Sequence, residues 1–172
     1  MTLRDTCQSV GPSLTGLSHN GVPCDGALVL WALAGVESSY GRDREEPRYE
    51  WSYSPGGPVY LKSSTVRRLY ERYGPAAACS YGSWQMMFPT AIDLGYTGPP
   101  GGLKDDATLA PLVVRYIARS QALTLPDVAD AYNSGTYRDN IRPLDYTAKV
   151  VSAYERGWDG GPEHRNHTPV TA

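Results

Sequence analysis

Ala27-Leu28-Val29-Leu30-Trp31-Ala32-Leu33-Ala34-Gly35-Val36-Glu37 is the stretch on which the reading of this chain turns. Up to Val36 it is apolar on every face, which predicts a buried helix rather than an amphipathic surface one. Asp25 supplies an N-cap, and the helix is expected to end near Ser39. Glu37 closes the run, followed by Ser38, Ser39, Tyr40 and then Gly41, the residue type that favours a helix C-terminus. Burial and the negative end of the helix dipole both disfavour an ionised carboxyl, so the pKa of Glu37 is expected to be raised. A carboxyl that keeps its proton near neutral pH meets the requirement for a general acid.

Around this helix, 172 residues suffice for one domain with a sizeable core and are too few for two ordinary ones. The net charge of −2, from 16 basic and 18 acidic residues, is spread along the chain with no basic block, which argues against nucleic acid as a partner. Thirteen Tyr and four Trp stand against a single Phe. Such amphipathic aromatics suit a polar groove that stacks on sugar rings. Cys7, Cys24 and Cys79 do not match a zinc motif and are read first as thiols, with a Cys24–Cys79 bridge as the alternative. His164 and His167 lie in a polar tail and read as solvated. No metal or cofactor is called for. Met1 to Val10 holds no signal-peptide core, and the longest apolar run is too short to span a bilayer, so a soluble monomer without stable membrane insertion is expected.

Turn residues divide the rest. Residues 1–24 read as an irregular lead-in with one short helix, and 25–156 as the main domain. Arg42 to Pro58 reads as a loop with a short hairpin. Ser63-Ser64 caps a helix through Tyr73, with Leu69 and Tyr70 inward and Arg67, Arg68, Glu71 and Arg72 outward; Gly74-Pro75 stops it. A further element runs from Trp84 to Leu94 and buries Met86, Met87 and Ile92. A helix reaches about Leu123 with Pro111 in its first turn, a short one covers Leu125 to Tyr132, and the last spans Leu144 to Tyr154. Residues 157–172 read as a loose tail. The prediction is a mainly α fold with long loops and a small β-hairpin.

Three segments, in order, resemble the signature of the soluble lytic transglycosylases and their goose-type lysozyme relatives. Ala32 to Gly41, with Glu37-Ser38 at its centre, is similar to the A-x-x-x-x-E-S-x-x-G around the family's catalytic acid. Gly82-Ser83-Trp84-Gln85-Met86-Met87-Phe88-Pro89-Thr90-Ala91 resembles G-L-M-Q-I-M-P-x-T-A, with Phe88 where the pattern has proline. Asp130-Ala131-Tyr132-Asn133-Ser134-Gly135 resembles A-Y-N-A-G. Tyr146 to Val151 is like the closing Y-V-x-K-V-L helix. The likeness covers roughly residues 26 to 155; Leu109-Ala110 departs from the family's frequent Asn-Ile.

The resemblance implies a lysozyme-like fold and a substrate, the glycan strands of bacterial peptidoglycan, cut between N-acetylmuramic acid and N-acetylglucosamine. It implies Glu37 as the acid that protonates the leaving oxygen and then, as carboxylate, removes the muramic C6 hydroxyl proton to give a 1,6-anhydro end. It places Gln85, Met87, Tyr132 and Asn133 on the sugar, although Met87 also suits the core and Asn133 also suits a helix cap. Tyr146 is expected to orient Glu37, with Ser38 and Ser39 as hydrogen-bond neighbours. The alternative is a goose-type muramidase, in which water attacks with help from a second carboxylate about 6.5–9.5 Å from the acid. Asp43, Glu46 and Glu50 are the candidates, within a loop whose Pro47-Arg48-Tyr49-Glu50 faintly resembles an Arg–aromatic–Glu segment of phage muramidases. A non-catalytic peptidoglycan-binding module is the third reading. The expected place of action is the bacterial cell wall, reached from a phage or by export.

Overall fold

The computed structural model describes residues 1–42, 47–134 and 144–160. Its centre is the helix read from the apolar run, α2 (Gly26–Ser38). The Asp25 carboxylate accepts from the Ala27 amide at 2.8 Å and starts the helix. Val29, Leu30, Ala32, Leu33 and Ala34 are fully buried, which requires cover on all sides. Helix α1 (Leu3–Val10) packs on one side and α8 (Leu144–Glu155) on another. Helices α6 (Asp106–Ser120) and α7 (Leu125–Ser134) complete the helical layer. The fold is mainly α with small antiparallel sheets, as expected. Among the described residues no helix is long and apolar enough to cross a membrane.

Helix α2 stops where expected, near Ser39, but with a different capping residue. Ser39, not Gly41, takes the left-handed cap conformation at φ 51°, and Tyr40 (63°) and Gly41 (79°) continue it. The reason is Gly35. The chain doubles back so that the Tyr40 ring lies where a Cβ on Gly35 would stand, 2.6 Å away, and stacks on Trp31 at 4.7 Å. Burial of that ring offsets a non-glycine residue at positive φ.

Residues 1–24 are more ordered than an irregular lead-in. A reciprocal capping box between Thr2 and Asp5 starts α1. Cys7, Leu14 and Leu17 enter the core, and β1 (Ser18–His19) pairs with β2 (Val22–Pro23). The described part of 42–58 holds one strand, β3 (Arg48–Tyr49), and no hairpin of its own. Its partner is β4 (Cys79–Tyr81), which turns back into β5 (Met86–Met87). Beyond it, α3 (Pro58–Lys62) leads to α4 (Ser64–Tyr73), capped by Ser63 as read.

The expected single element over Trp84–Leu94 is a turn, then β5, then α5 (Phe88–Asp93). Gly82 at φ 67° and Gln85 at φ 47° break any helix, and Pro89 in the first turn of α5 restarts one. Met86 buries, whereas Met87 and Ile92 are half-buried. Pro111 lies in the second turn of α6 rather than the first, because Asp105 caps the helix earlier than expected. The described part of the tail is not loose: Trp158 stacks on Trp31 at 5.2 Å beneath the Arg4 guanidinium, and 161–172, with His164 and His167, lie outside the described residues. The cysteines are free. Cys79 sits in β4 with its thiol donating to the Pro75 carbonyl, while Cys24 lies beside Tyr154, so the alternative bridge is not formed.

Gly82 is tight as well as left-handed: a Cβ there would stand 2.5 Å from Leu109 Cδ2 and 2.7 Å from the Leu103 carbonyl. Gly82→Ala is expected to cost about 2 kcal/mol or more, from overpacking and positive φ together. Urea denaturation checks this, and an unchanged midpoint would contradict the packing described.

Candidate active site

Glu37 occupies the last turn of α2, half-buried at the wall of a cavity of about 530 Å³. Three parts of the chain meet there. The β3 edge and the segment after it bring Arg48, Glu50 and Tyr53; the β4–β5 hairpin brings Ser80, Gln85 and Met87; α7 and α8 bring Tyr132, Asn133, Asp145, Tyr146 and Lys149. Of the residues read from the sequence, Glu37, Gln85, Met87, Tyr132, Asn133, Tyr146 and Glu50 share this cavity.

The Tyr146 hydroxyl donates to Glu37 Oε1 at 2.6 Å, so α8 aims the carboxyl that α2 carries. Burial pushes the Glu37 pKa above its ordinary value; the Tyr146 hydrogen bond and the Arg48 charge pull it down, and the Glu50 charge pushes it up again. Burial is thus the leading cause, as the apolar run implied. The Tyr146 hydroxyl is itself pushed far up, by burial and then by the neighbouring Glu37 charge, so it remains a donor at any physiological pH.

The Gln85 side chain, which lines the same cavity as Glu37, is fixed by its own hairpin. Gln85 Oε1 accepts from Ser80 Oγ at 2.9 Å, and its Nε2 donates to the Gly82 carbonyl at 3.0 Å. Its backbone is left-handed at φ 47°, and this strained position lies at the site. Tyr132 donates to the Trp84 carbonyl at 2.7 Å and meets Tyr116 edge to face at 5.4 Å. Its hydroxyl is therefore occupied, leaving the ring to line the cavity. Asn133 is exposed in the last turn of α7.

Ser39 does not reach the cavity. It is the cap of α2, and its carbonyl accepts from Arg42 Nε at 2.9 Å. Ser38 is buried and ties the helix end to the hairpin turn, donating to the Ser83 carbonyl at 2.7 Å and accepting from the Gly41 amide at 2.8 Å. Both serines serve the backbone and not the acid. Asp43 and Glu46 lie outside the described residues.

Tyr53, Ser80 and Asp145 were not singled out by sequence reasoning, and Arg48 and Lys149 stood inside quoted segments without a role at the site. Two signals were present. Arg48 and Glu50 alternate in an extended segment and so face one way, and Asp145, Tyr146 and Lys149 fall at helical spacing. The two other carboxylates of the cavity are each paired with a base: Glu50 Oε1 lies 2.8 Å from Arg48 Nε, and Asp145 pairs with Lys149. Among the described residues no three His, Cys, Asp or Glu side chains gather as a metal site.

No protein-family model, no curated protein and no solved structure matches the chain.

Proposed function

We propose that this protein is a peptidoglycan lytic transglycosylase on a lysozyme-like fold, with Glu37 as acid and then base. The observation that carries the reading is a half-buried carboxyl with a raised pKa, held by a tyrosine at the wall of a polar cavity. Tyr146 engages Oε1, which leaves Oε2 to carry the proton. Glu37 gives this proton to the glycosidic oxygen as the bond to the muramic anomeric carbon breaks. The carboxylate so formed takes the proton of the muramic C6 hydroxyl, that oxygen closes on the anomeric carbon, and Glu37 is again an acid. No water is consumed. Substrate acetamido assistance stabilises the intermediate without a second protein carboxylate. The partner is the glycan strand of the bacterial cell wall, bound by a monomer, with Gln85 and Asn133 on its polar edges and Met87 and Tyr132 against its rings.

The second reading, a muramidase with Glu50 as base, is favoured by the placement of Glu50 in the same cavity. Its ion pair with Arg48 argues against it, since the Arg48 Nε–H donates to Glu50 Oε1 at 2.8 Å and holds that oxygen away from a water. Clearance of purified cell walls separates the two. Glu50→Gln is expected to keep most of the activity as a transglycosylase and to lose on the order of 10²–10⁴-fold if Glu50 is the base.

The pH profile gives a further check. An acid catalyst works while protonated, so activity falls as pH rises through the folded pKa of Glu37. Removing the Glu50 charge removes a cause that raises that pKa, and the alkaline limb of kcat/KM moves to lower pH in Glu50→Gln. Tyr146→Phe removes a hydrogen bond that favours the carboxylate, so its limb moves to higher pH while kcat falls on the order of tenfold to a hundredfold from lost aim. Limbs that stay put in both variants would show that Glu37 is not the group titrating.

A further inference from the structure

The strand β3 and the segment after it give one side to the Glu37 cavity and the other to an exposed aromatic surface. Arg48 and Glu50 line the cavity, while Tyr49, between them, lies against Tyr70 of α4, as alternation along an extended segment requires. Tyr70 meets Tyr60 of α3 edge to face at 5.7 Å. Trp51 opens a short 3-10 helix, Trp51–Tyr53, which packs on the entry of α3: a Cβ on Gly57 would stand 2.4 Å from the Trp51 carbonyl. Arg67 of α4 donates to the Tyr60 and Leu61 carbonyls and ties the two helices together. On this platform Tyr49, Trp51 and Leu61 are 49%, 62% and 63% exposed, three of the six large apolar side chains so exposed among the described residues. Exposed apolar side chains scattered singly are ordinary; a group on elements that touch one another marks an interaction surface.

Charge is a second, independent observation. From Arg48 to Arg72 stand five basic residues, Arg48, Lys62, Arg67, Arg68 and Arg72, against Glu50 and Glu71, an excess of three in a chain whose net charge is −2. Lys62, Arg68 and Arg72 are exposed. We propose that this surface is a second, non-catalytic binding site for peptidoglycan, which stacks sugar rings on Trp51 and Tyr49 and attracts the carboxylates of the peptide stems through the bases of α3 and α4. It holds a strand other than the one in the cavity, so that the protein stays on the wall between cuts. This inference rests on the function proposed above.

The match is one of composition. Trp and Tyr present an apolar face with a polar edge, as a pyranose does, and Leu61 widens the apolar part. Peptidoglycan joins neutral sugars to acidic stems, and this surface joins aromatic faces to a positive excess. An anionic lipid bilayer is the other partner for exposed aromatics among bases. It calls for an apolar helix face that enters the headgroup layer, whereas α4 turns its apolar face inward: Val66 is buried and Leu69 packs against the core. What remains outside is a set of separate side chains on different elements, which suits the spaced rings of a sugar polymer better than insertion.

The test is co-sedimentation of the full chain with purified peptidoglycan sacculi, in the Glu37→Gln background so that the sacculi stay whole. Trp51→Ala is expected to weaken binding about tenfold, the loss of one aromatic anchor. Lys62→Glu is expected to weaken it about fivefold at low salt and hardly at about 1 M, because exposed charges are screened. Sacculi stripped of their peptides are expected to keep the Trp51→Ala effect and to lose that of Lys62→Glu. With Glu37 restored, kcat/KM on a soluble tetrasaccharide is expected to stay unchanged in both, since neither side chain lines the cavity. Leu61→Asp, at a separate exposed position, repeats the comparison should Trp51→Ala lower the unfolding temperature. Sacculi bound equally by every variant overturn the surface, and so does an equal loss on the tetrasaccharide, which would assign Trp51 to the cavity. Unchanged binding to sacculi beside lost binding to vesicles of phosphatidylglycerol and phosphatidylcholine overturns it in favour of lipid. The function beneath it fails separately. Sacculi bound through Trp51 but never cut by the wild type overturn the reaction and support the surface; sacculi cut by the wild type and bound equally by every variant overturn the surface and leave the reaction standing.

Discussion

Glu37→Gln is expected to reduce peptidoglycan cleavage by on the order of 10³-fold, the range set by loss of a positioned proton donor. Glutamine keeps the shape of the side chain and still accepts from the Tyr146 hydroxyl, which donates to Oε1 at 2.6 Å in the wild type. What it lacks is a transferable proton. Binding of glycan strands is therefore expected to persist, since Gln85, Met87, Tyr132 and Asn133 are untouched. The comparison is made by cell-wall clearance beside co-sedimentation with insoluble walls. Clearance that is equal in the wild type and Glu37→Gln would remove the acid from the mechanism.

The second large effect is on stability. Trp84 is wholly buried and donates from its indole nitrogen to the Leu30 carbonyl at 2.8 Å, joining the hairpin turn to the middle of α2. Trp84→Ala removes that packing and the indole's hydrogen bond to the Leu30 carbonyl. The expected loss is about 3–5 kcal/mol, a large part of the stability of a domain of this size. Because Trp84 precedes Gln85 and accepts the Tyr132 hydrogen bond on its backbone, activity should fall further than the unfolded fraction alone explains. Thermal and urea unfolding measure it; Trp84→Phe, which keeps a smaller aromatic ring and drops the donor, should lie between. A loss below about 1 kcal/mol would contradict the role given to this side chain.

What could be read before the structure follows from how local each signal is. The all-apolar run foretold α2 and the burial that raises the Glu37 pKa, because both depend on residues adjacent in the chain. Helices α7 and α8 were legible for the same reason, and the closing motif placed Tyr146 at the acid 109 positions away. The β4–β5 turn was not. Its break comes from a left-handed Gln85, a residue type that carries no turn signal, held there by Ser80 and the Gly82 carbonyl. The pairing of Arg48 with Ser80 across 32 positions is likewise invisible to local pattern. Ser39 was misplaced because the motif sets it two residues from Glu37, whereas the left-handed cap turns it away. The loss of the Cys24–Cys79 alternative is a matter of tertiary placement, which spacing does not encode.

The most direct test of the central claim is mass spectrometry of the chain ends released from purified peptidoglycan by wild type and by Glu37→Gln. The account predicts 1,6-anhydromuramic ends from the wild type and almost none from Glu37→Gln. Reducing muramic ends alone would assign the reaction to water and a second carboxylate, and equal release by both proteins would contradict Glu37 as the acid.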